Sequence, residues 1–280
     1  MEKSQSHNLQ RLPVRRLLIN LEPPIERHWN GGDAFRSAFL NALSMSFPRG
    51  EQFFMDSVRS GLAHLPPTRR EEFAQEVSDF VGQEATHRRI HSLFNAHLTR
   101  LGYQNKWEPR IERRLWRLQS RDVRAHVGFT AAAEHFTAIL AEYFLERPAV
   151  FASQDERLNK LWLWHASEEA EHSSTAFDLY QALGGSQTWR SRLFKLATWY
   201  FVSDALLQTA RNLQHDGLLL RSSTWASARE FFFGKEGLVR HCFGPWRAYL
   251  KPDFHPSQLI SQRSTQWLAS HQEDFVLVRS

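Results

Sequence analysis

Cysteine is nearly absent: the 280-residue chain holds one, Cys242. That excludes an internal disulfide and a thiolate metal cage, and it suits a reducing compartment. Long apolar runs are missing too. The longest candidate, Leu193–Leu207, is interrupted by Lys195, Ser203 and Asp204, short of the roughly 18–20 residues of a membrane span. Met1–Arg16 is polar and basic, without the apolar segment of a secretory signal. The expected location is the cytoplasm. No glycine-rich phosphate loop, dinucleotide fingerprint, Gly-x-Ser-x-Gly elbow, internal repeat or low-complexity tract occurs, which removes the nucleotide-binding and serine-hydrolase classes those motifs mark.

What the chain does have is an aromatic-rich globular composition, 42% hydrophobic and 13% aromatic, with 21 Phe and 10 Trp. The formal charge of +5 raises nucleic acid as a partner. The basic residues are scattered, however, and the denser stretches Arg11–Arg16 and Arg110–Arg124, the latter with Trp107 and Trp116 nearby, carry no recognition motif. They read as solvated helix faces, and no nucleic-acid partner is expected.

Helical patterning dominates, without a hairpin signal or a strand-like alternation to compete. Asp33 caps a helix to Ser46, and Pro48 opens a second piece reaching His64. Pro66-Pro67 ends that piece. Thr68 with Glu71, and Ser153 with Glu156, form capping boxes for helices ending at Leu101 before Gly102 and at Leu183 before Gly184-Gly185. Between them, Ser120–Leu145 is helical with a small-residue centre. Gln187–His215, Thr224–Phe233 and Pro256–His271 complete the set. The fold class is all-α: a four-helix bundle over 33–185, an N-terminal extension 1–32, and C-terminal helices 186–280 packed on the bundle as part of one domain.

Four of these helices carry a glutamate near an apolar stretch: Glu51, Glu84, Glu134 and Glu169. Two are followed three residues later by histidine, as Glu84…His87 and Glu169…His172. Residues i and i+3 share a helix face, so each pair presents an oxygen and a nitrogen to one point. Glu51 and Glu84 are 33 residues apart, and Glu134 and Glu169 are 35 apart. Either gap takes the chain along one helix, round a turn and back to the same depth. The order Glu, Glu-x-x-His, Glu, Glu-x-x-His is the di-metal arrangement of carboxylate bundles. Four carboxylates balance two divalent ions, whereas four bare buried carboxylates would be very costly. Oxygen donors mixed with imidazole suit two iron ions (Fe2+/Fe3+), with manganese or zinc tolerated. His165, four residues before Glu169, completes a His-x-x-x-Glu-x-x-His stripe. His91 shares the stripe of Glu84 and His87 and is assigned to supporting a ligand. Asp204, inside an apolar run, is a candidate acceptor for a ligand imidazole. His135, Glu168 and Glu171 lie off the ligand faces and belong to the surface or to the support of the ligands.

At these residues the chain resembles the ferritin-like di-iron oxygenases, and among them the p-aminobenzoate N-oxygenase type. The resemblance implies Glu51, Glu84, His87, Glu134, Glu169 and His172 as core metal ligands, with His165 as an extra histidine on one iron. Over most of its length the chain also resembles a bacterial family described as predicted metal-dependent hydrolases. The leading expectation is an oxygenase that activates dioxygen and oxidises a small, apolar or aromatic substrate. Its electrons come from an external donor, because nothing in the chain binds a flavin or an iron–sulfur cluster. The alternatives are a di-metal hydrolase using a bridging water, a non-catalytic iron-binding protein, and a helical protein with coincident glutamates. Thr130, Ala131, Ala132, Ala133 and Ala138 leave space beside Glu134, with Phe53, Phe54, Phe80 and Trp162 as an apolar wall. The aromatic C-terminal third (Trp189, Trp199, Trp225, Trp246, Trp267) is expected to cover the bundle, with a homodimer face or peripheral membrane contact as the other readings.

Overall fold

The computed structural model describes residues 11–259 and 261–279; the first ten residues of the N-terminal extension lie outside them. Four long helices build the bundle: α1 (Ala34–His64), α2 (Pro67–Arg100), α4 (Val123–Glu146) and α5 (Glu156–His172). A short helix, α3 (Glu108–Leu118), lies in the crossover between α2 and α4. After α5 come α6 (Thr175–Ala182), α7 (Gln187–His215), α8 (Ser222–Phe233), α9 (Leu238–Ala248) and α10 (Arg263–Ser270). α7 packs on α1 and α4, with its own boundaries as the sequence predicts. No helix among the described residues is long and apolar enough to cross a membrane.

Several boundaries differ from the expected ones, each for a local reason. α1 does not stop at Ser46 but runs through Pro48. Proline removes the N–H that Ser44 O would have accepted, and Asn95 Nδ2 donates to that carbonyl instead, at 2.9 Å. Asn105 Nδ2 likewise donates to Met45 O at 2.7 Å. The helix therefore continues because its neighbours satisfy the carbonyls around the proline. Neither expected capping box forms. Pro67 occupies the first turn of α2, with no side-chain cap, and Asp155 caps α5 while Ser153 Oγ accepts from the Asp155 N–H. The helix expected to reach Leu183 breaks at Ser173–Ser174, giving α5 and α6. Gly102 does end α2, with φ +88°, a conformation open to glycine at little cost.

A two-stranded antiparallel sheet, β1 (Val14–Leu17) with β2 (Phe275–Arg279), was not anticipated. Its strands are four and five residues long, and each lacks a sequence-local partner. β1 lies against α2 at Gly82, where an added Cβ would sit 2.5 Å from Val14 Cγ2.

Buried hydrophobic side chains form two clusters along the bundle. One includes Phe39, Leu43, Ile90, Phe94, Leu140 and Trp162; the other includes Val58, Phe80, Val127, Ala132 and Phe177. On α1, α2 and α4 the residues Glu51, Glu84, His87 and Glu134 fall between those given to the two clusters, and on α5 Glu169 and His172 follow the last residue given to the first. They form a polar layer inside an apolar bundle.

Candidate metal centre

All seven predicted ligands are buried, and the bundle brings them together. Their donor atoms form three groups whose members lie within 4.8 Å of one another: Glu51, His87 and His165; Glu84, Glu134 and His172; Glu84, His87 and Glu169. Glu84, whose carboxylate can bridge, belongs to two groups, and His87 Nδ1 lies within reach of two but can serve one ion, so the groups describe two adjacent cation positions. His172 Nε2 lies 3.2 Å from Glu84 Oε1 and from Glu134 Oε2, and 3.6 Å from Glu169 Oε2. His87 Nδ1 is 3.4 Å from Glu169 Oε1. His165 Nε2 is 2.7 Å from Glu169 Oε1 and 4.0 Å from Glu51 Oε1.

Each histidine is held from behind by a hydrogen bond that leaves one nitrogen for the centre. His87 Nε2–H donates to the Glu168 carboxylate at 3.0 Å, so its Nδ1 faces inward. His172 Nδ1–H donates to Gln83 Oε1 at 2.9 Å; the Gln83 amide is oriented by donating to Pro13 O and Glu171. For His165 the constraint travels further. Asn95 Nδ2 donates to Ser44 O, so Asn95 Oδ1 accepts the Ser44 hydroxyl proton. Ser44 Oγ must then accept from His91 Nδ1–H at 2.9 Å, and His91 Nε2 accepts from His165 Nδ1–H at 2.6 Å. The lone pair of His165 Nε2 is left pointing at Glu169 Oε1. Two acceptors 2.7 Å apart repel unless a proton or a metal ion sits between them. Rings of Phe47, Phe80 and Trp164 pack against His165, His172 and His87 and fix their planes.

Unpaired polar atoms provide the test of fit. Among the described residues, 17 buried side-chain N and O atoms lack a hydrogen-bond partner. Nine of them are donors of this one layer: both oxygens of Glu51, Glu84 and Glu134, Glu169 Oε2, His87 Nδ1 and His172 Nε2. Buried polar groups are normally paired, so this concentration marks where cations belong.

The electrostatics agree. Burial, then repulsion from Glu84, pushes the Glu51 carboxyl well above its ordinary range. Burial also raises Glu84 and takes Glu134 up to about 8. Burial opposes charge on His87, but its bonds to Glu168 and Glu169 prevail and lift it to about 10. His172 is raised in the same way by Glu134 and Glu169. Burial lowers His165 to about 4. Without cations this layer must hold protons; with two divalent ions its carboxylates are compensated. The residues fit a metal pair.

Other assignments divide. His91 supports His165, as described. Asp204 does not reach an imidazole: Arg110 and Arg114 of α3 take its carboxylate. Glu168, which the sequence left as surface or support, is fully buried and partners both His87 and Arg15. Arg15 in turn binds Glu171 through two bonds, at 2.7 and 3.1 Å, so it is no solvated cation. The signal for Glu168 was that α5 has almost no polar face from Leu161 to Ala170. His135 is buried against Phe194, Tyr249 and Phe254.

A cavity of about 320 Å³ reaches the centre at Glu51. Phe53, Phe54 and Ala133 line it, as do Phe129, Phe136, Leu193 and Tyr200. Phe80 and Trp162 are not in this wall, because they pack in the two hydrophobic clusters. Ala131 and Ala132 also face the core, leaving no open space there.

The sequence profile of the family described as predicted metal-dependent hydrolase matches residues 13–259, a span that includes every side chain of this centre. The chain belongs to that family. No curated protein and no solved structure matches it. A metal-dependent enzyme family and a buried carboxylate–imidazole layer are independent observations that agree on a metal cofactor. Within the predicted metal-dependent hydrolase family, the centre of this chain draws on α1, α2, α4 and α5, with mid-bundle donors throughout.

Proposed function

We propose that this protein is a di-iron oxygenase acting on a small apolar or aromatic molecule. The observation that supports it most is the setting of the donor layer: four carboxylates and three imidazoles deep in the bundle, open to an apolar cavity at Glu51. Two ferrous ions bound there would supply the reducing equivalents with which dioxygen is activated to oxidise the substrate. The chain's own part is positional. Glu51, on the cavity wall, is the ligand nearest an incoming substrate. Phe53, Phe54 and Phe129 exclude water from its surroundings. Glu168, Gln83 and the Asn95–Ser44–His91 relay hold the imidazoles in their metal-binding tautomers, as partners behind metal-bound histidines do. Reducing equivalents between turnovers come from an external electron donor.

A hydrolase with a metal-bound water is the second reading, and the family description favours it. Against it stands the mostly apolar lining of the cavity, with Phe53, Phe54, Phe129, Phe136 and Ala133 among its walls, which suits an apolar substrate better than a polar ester or amide. The deciding experiment is metal content by mass spectrometry on protein from iron-supplemented cells, with Glu84→Ala and His172→Ala as controls. Two irons per chain, lost in both variants, together with reductant-dependent dioxygen consumption, are expected. Activity with zinc and without dioxygen would establish the hydrolase instead. Many irons per chain would indicate storage.

A further inference from the structure

We infer that the cavity beside Glu51 is a binding site for an amphipathic anion: an apolar body carrying one carboxylate-type head. This deepens the reading of the same site as an oxygenase and rests on it only for the identity of the reacting end.

Among the described residues, most of the guanidinium groups around the cavity are paired and two are not. α3 contributes no buried residue, yet its Ile111, Leu115 and Leu118 roof the cavity. Arg110 and Arg114 are consumed by Asp204, and Arg114 also stacks on Tyr200 at 3.9 Å. Arg49 pairs with Glu112 at 3.7 Å, and Arg124 with Asp122 at 2.9 Å. Arg117 and Arg121 differ. Both line the cavity, both are exposed, and neither side chain has a hydrogen-bond or acidic partner among the described residues. The cavity is thus mostly apolar, with the Arg114–Asp204 pair neutral in its wall, positive where Arg117 and Arg121 reach solvent and bounded by the carboxylate of Glu51. A neutral apolar ligand would need no such pair. Guanidinium groups recognise carboxylates through paired N–H donors. A ligand with its head at Arg117 and Arg121 lays its body along Phe53, Phe129 and Leu193. Its uncharged end then arrives at Glu51, so oxidation falls on the part most remote from the charge. At about 320 Å³ the space is at the small end of the ~300–1,000 Å³ range of ligand pockets, suited to one chain or one ring system.

Binding tests this without turnover. Full-length protein, metal-free and manganese-loaded, is titrated with decanoate, decanol and decylamine, with calorimetry and tryptophan fluorescence as readouts; Trp107 lines the cavity. Decanoate should bind at one saturable site, about tenfold or more tighter than decanol, the value of a charge-assisted hydrogen bond. The R117Q/R121Q double variant should remove that advantage and leave decanol binding unchanged; both side chains are exposed, so folding is not at stake. Equal affinity for decanoate and decanol, or an unaltered double variant, would overturn the proposal. So would arginine-dependent binding to phosphatidylglycerol vesicles with no saturable binding of free decanoate, which would identify a lipid surface as the true anion. A failure here leaves the metal and dioxygen results standing, and a zinc-only hydrolase that binds decanoate would sink the oxygenase reading alone.

Discussion

Glu168→Gln isolates one hydrogen bond behind one candidate metal ligand, His87. Gln has nearly the same shape, so the fully buried site keeps its packing. Arg15 keeps its two bonds to Glu171, and no guanidinium is stranded. What changes is the partner of His87 Nε2. A carboxylate only accepts, so it holds the proton on Nε2 and leaves Nδ1 free for a metal. An amide can turn its NH2 toward Nε2 and favour the opposite tautomer, which closes Nδ1 with a proton. Losing such a partner weakens metal binding by about 10–100-fold, or about 1.4–2.7 kcal/mol. The effect should fall on one ion, the one held by Glu51, His87 and His165. Gln83→Leu should weaken the other, because it frees the Nδ1–H of His172. The assay is an anaerobic competition titration of Fe2+ or Mn2+ against a coloured chelator, with circular dichroism to confirm that the variants fold. If E168Q binds both ions with wild-type affinity, the assignment of Nδ1 as the metal-facing atom of His87 is wrong. If it weakens both ions equally, the two positions are not separate.

Three further outcomes follow from the same geometry. Metal uptake near neutral pH should release protons and tighten as pH rises, because Glu134 and His87 hold theirs to about 8 and about 10 and only the deprotonated groups bind metal; calorimetry in buffers of different ionisation enthalpy counts them, and no release would refute the protonated apo layer. Asn95→Leu leaves Ser44 O and the Ser44 hydroxyl unsatisfied and should cost about 1–3 kcal/mol in urea unfolding; Pro48→Ala should recover part of it by restoring the helical N–H, and an Asn95→Leu protein of unchanged stability would contradict the role given to that amide. Burial lowers His135 to about 3 in the folded protein, against about 6.5 unfolded. The unfolded state therefore takes up a proton that the folded state refuses, and the stability His135 supplies above pH 6.5 is lost as pH falls toward 3, by at most ~1.4 kcal/mol per pH unit. The difference between wild-type and His135→Gln stability curves should show that slope, and parallel curves would refute it.

That the seven candidate ligands share one layer was readable in the chain because helix geometry is local. Glu-x-x-His puts two donors on one face whatever the surroundings, and spacings of 33 and 35 residues return the chain to one depth. The all-α class and the boundaries of α7 followed from periodicity for the same reason. What stayed hidden depends on partners far along the chain. Pro48 looked like a helix start until Asn95, from α2, supplied the donor that its own backbone lacks. Asp204 looked available for an imidazole until α3 folded over it with Arg110 and Arg114. Glu168 looked like a neighbour of a ligand, until the packing of α2 against α5 set one of its oxygens behind His87 and β1 brought Arg15 to the other. β1 itself could not be seen, since its partner strand lies at the other end of the described chain. The sequence by itself determined which side chains carry donors and on which helix faces. The tertiary structure alone decided how each imidazole is turned, which arginines remain unpaired and where the apolar cavity opens, because each of these is set by a contact between segments with no local code for one another.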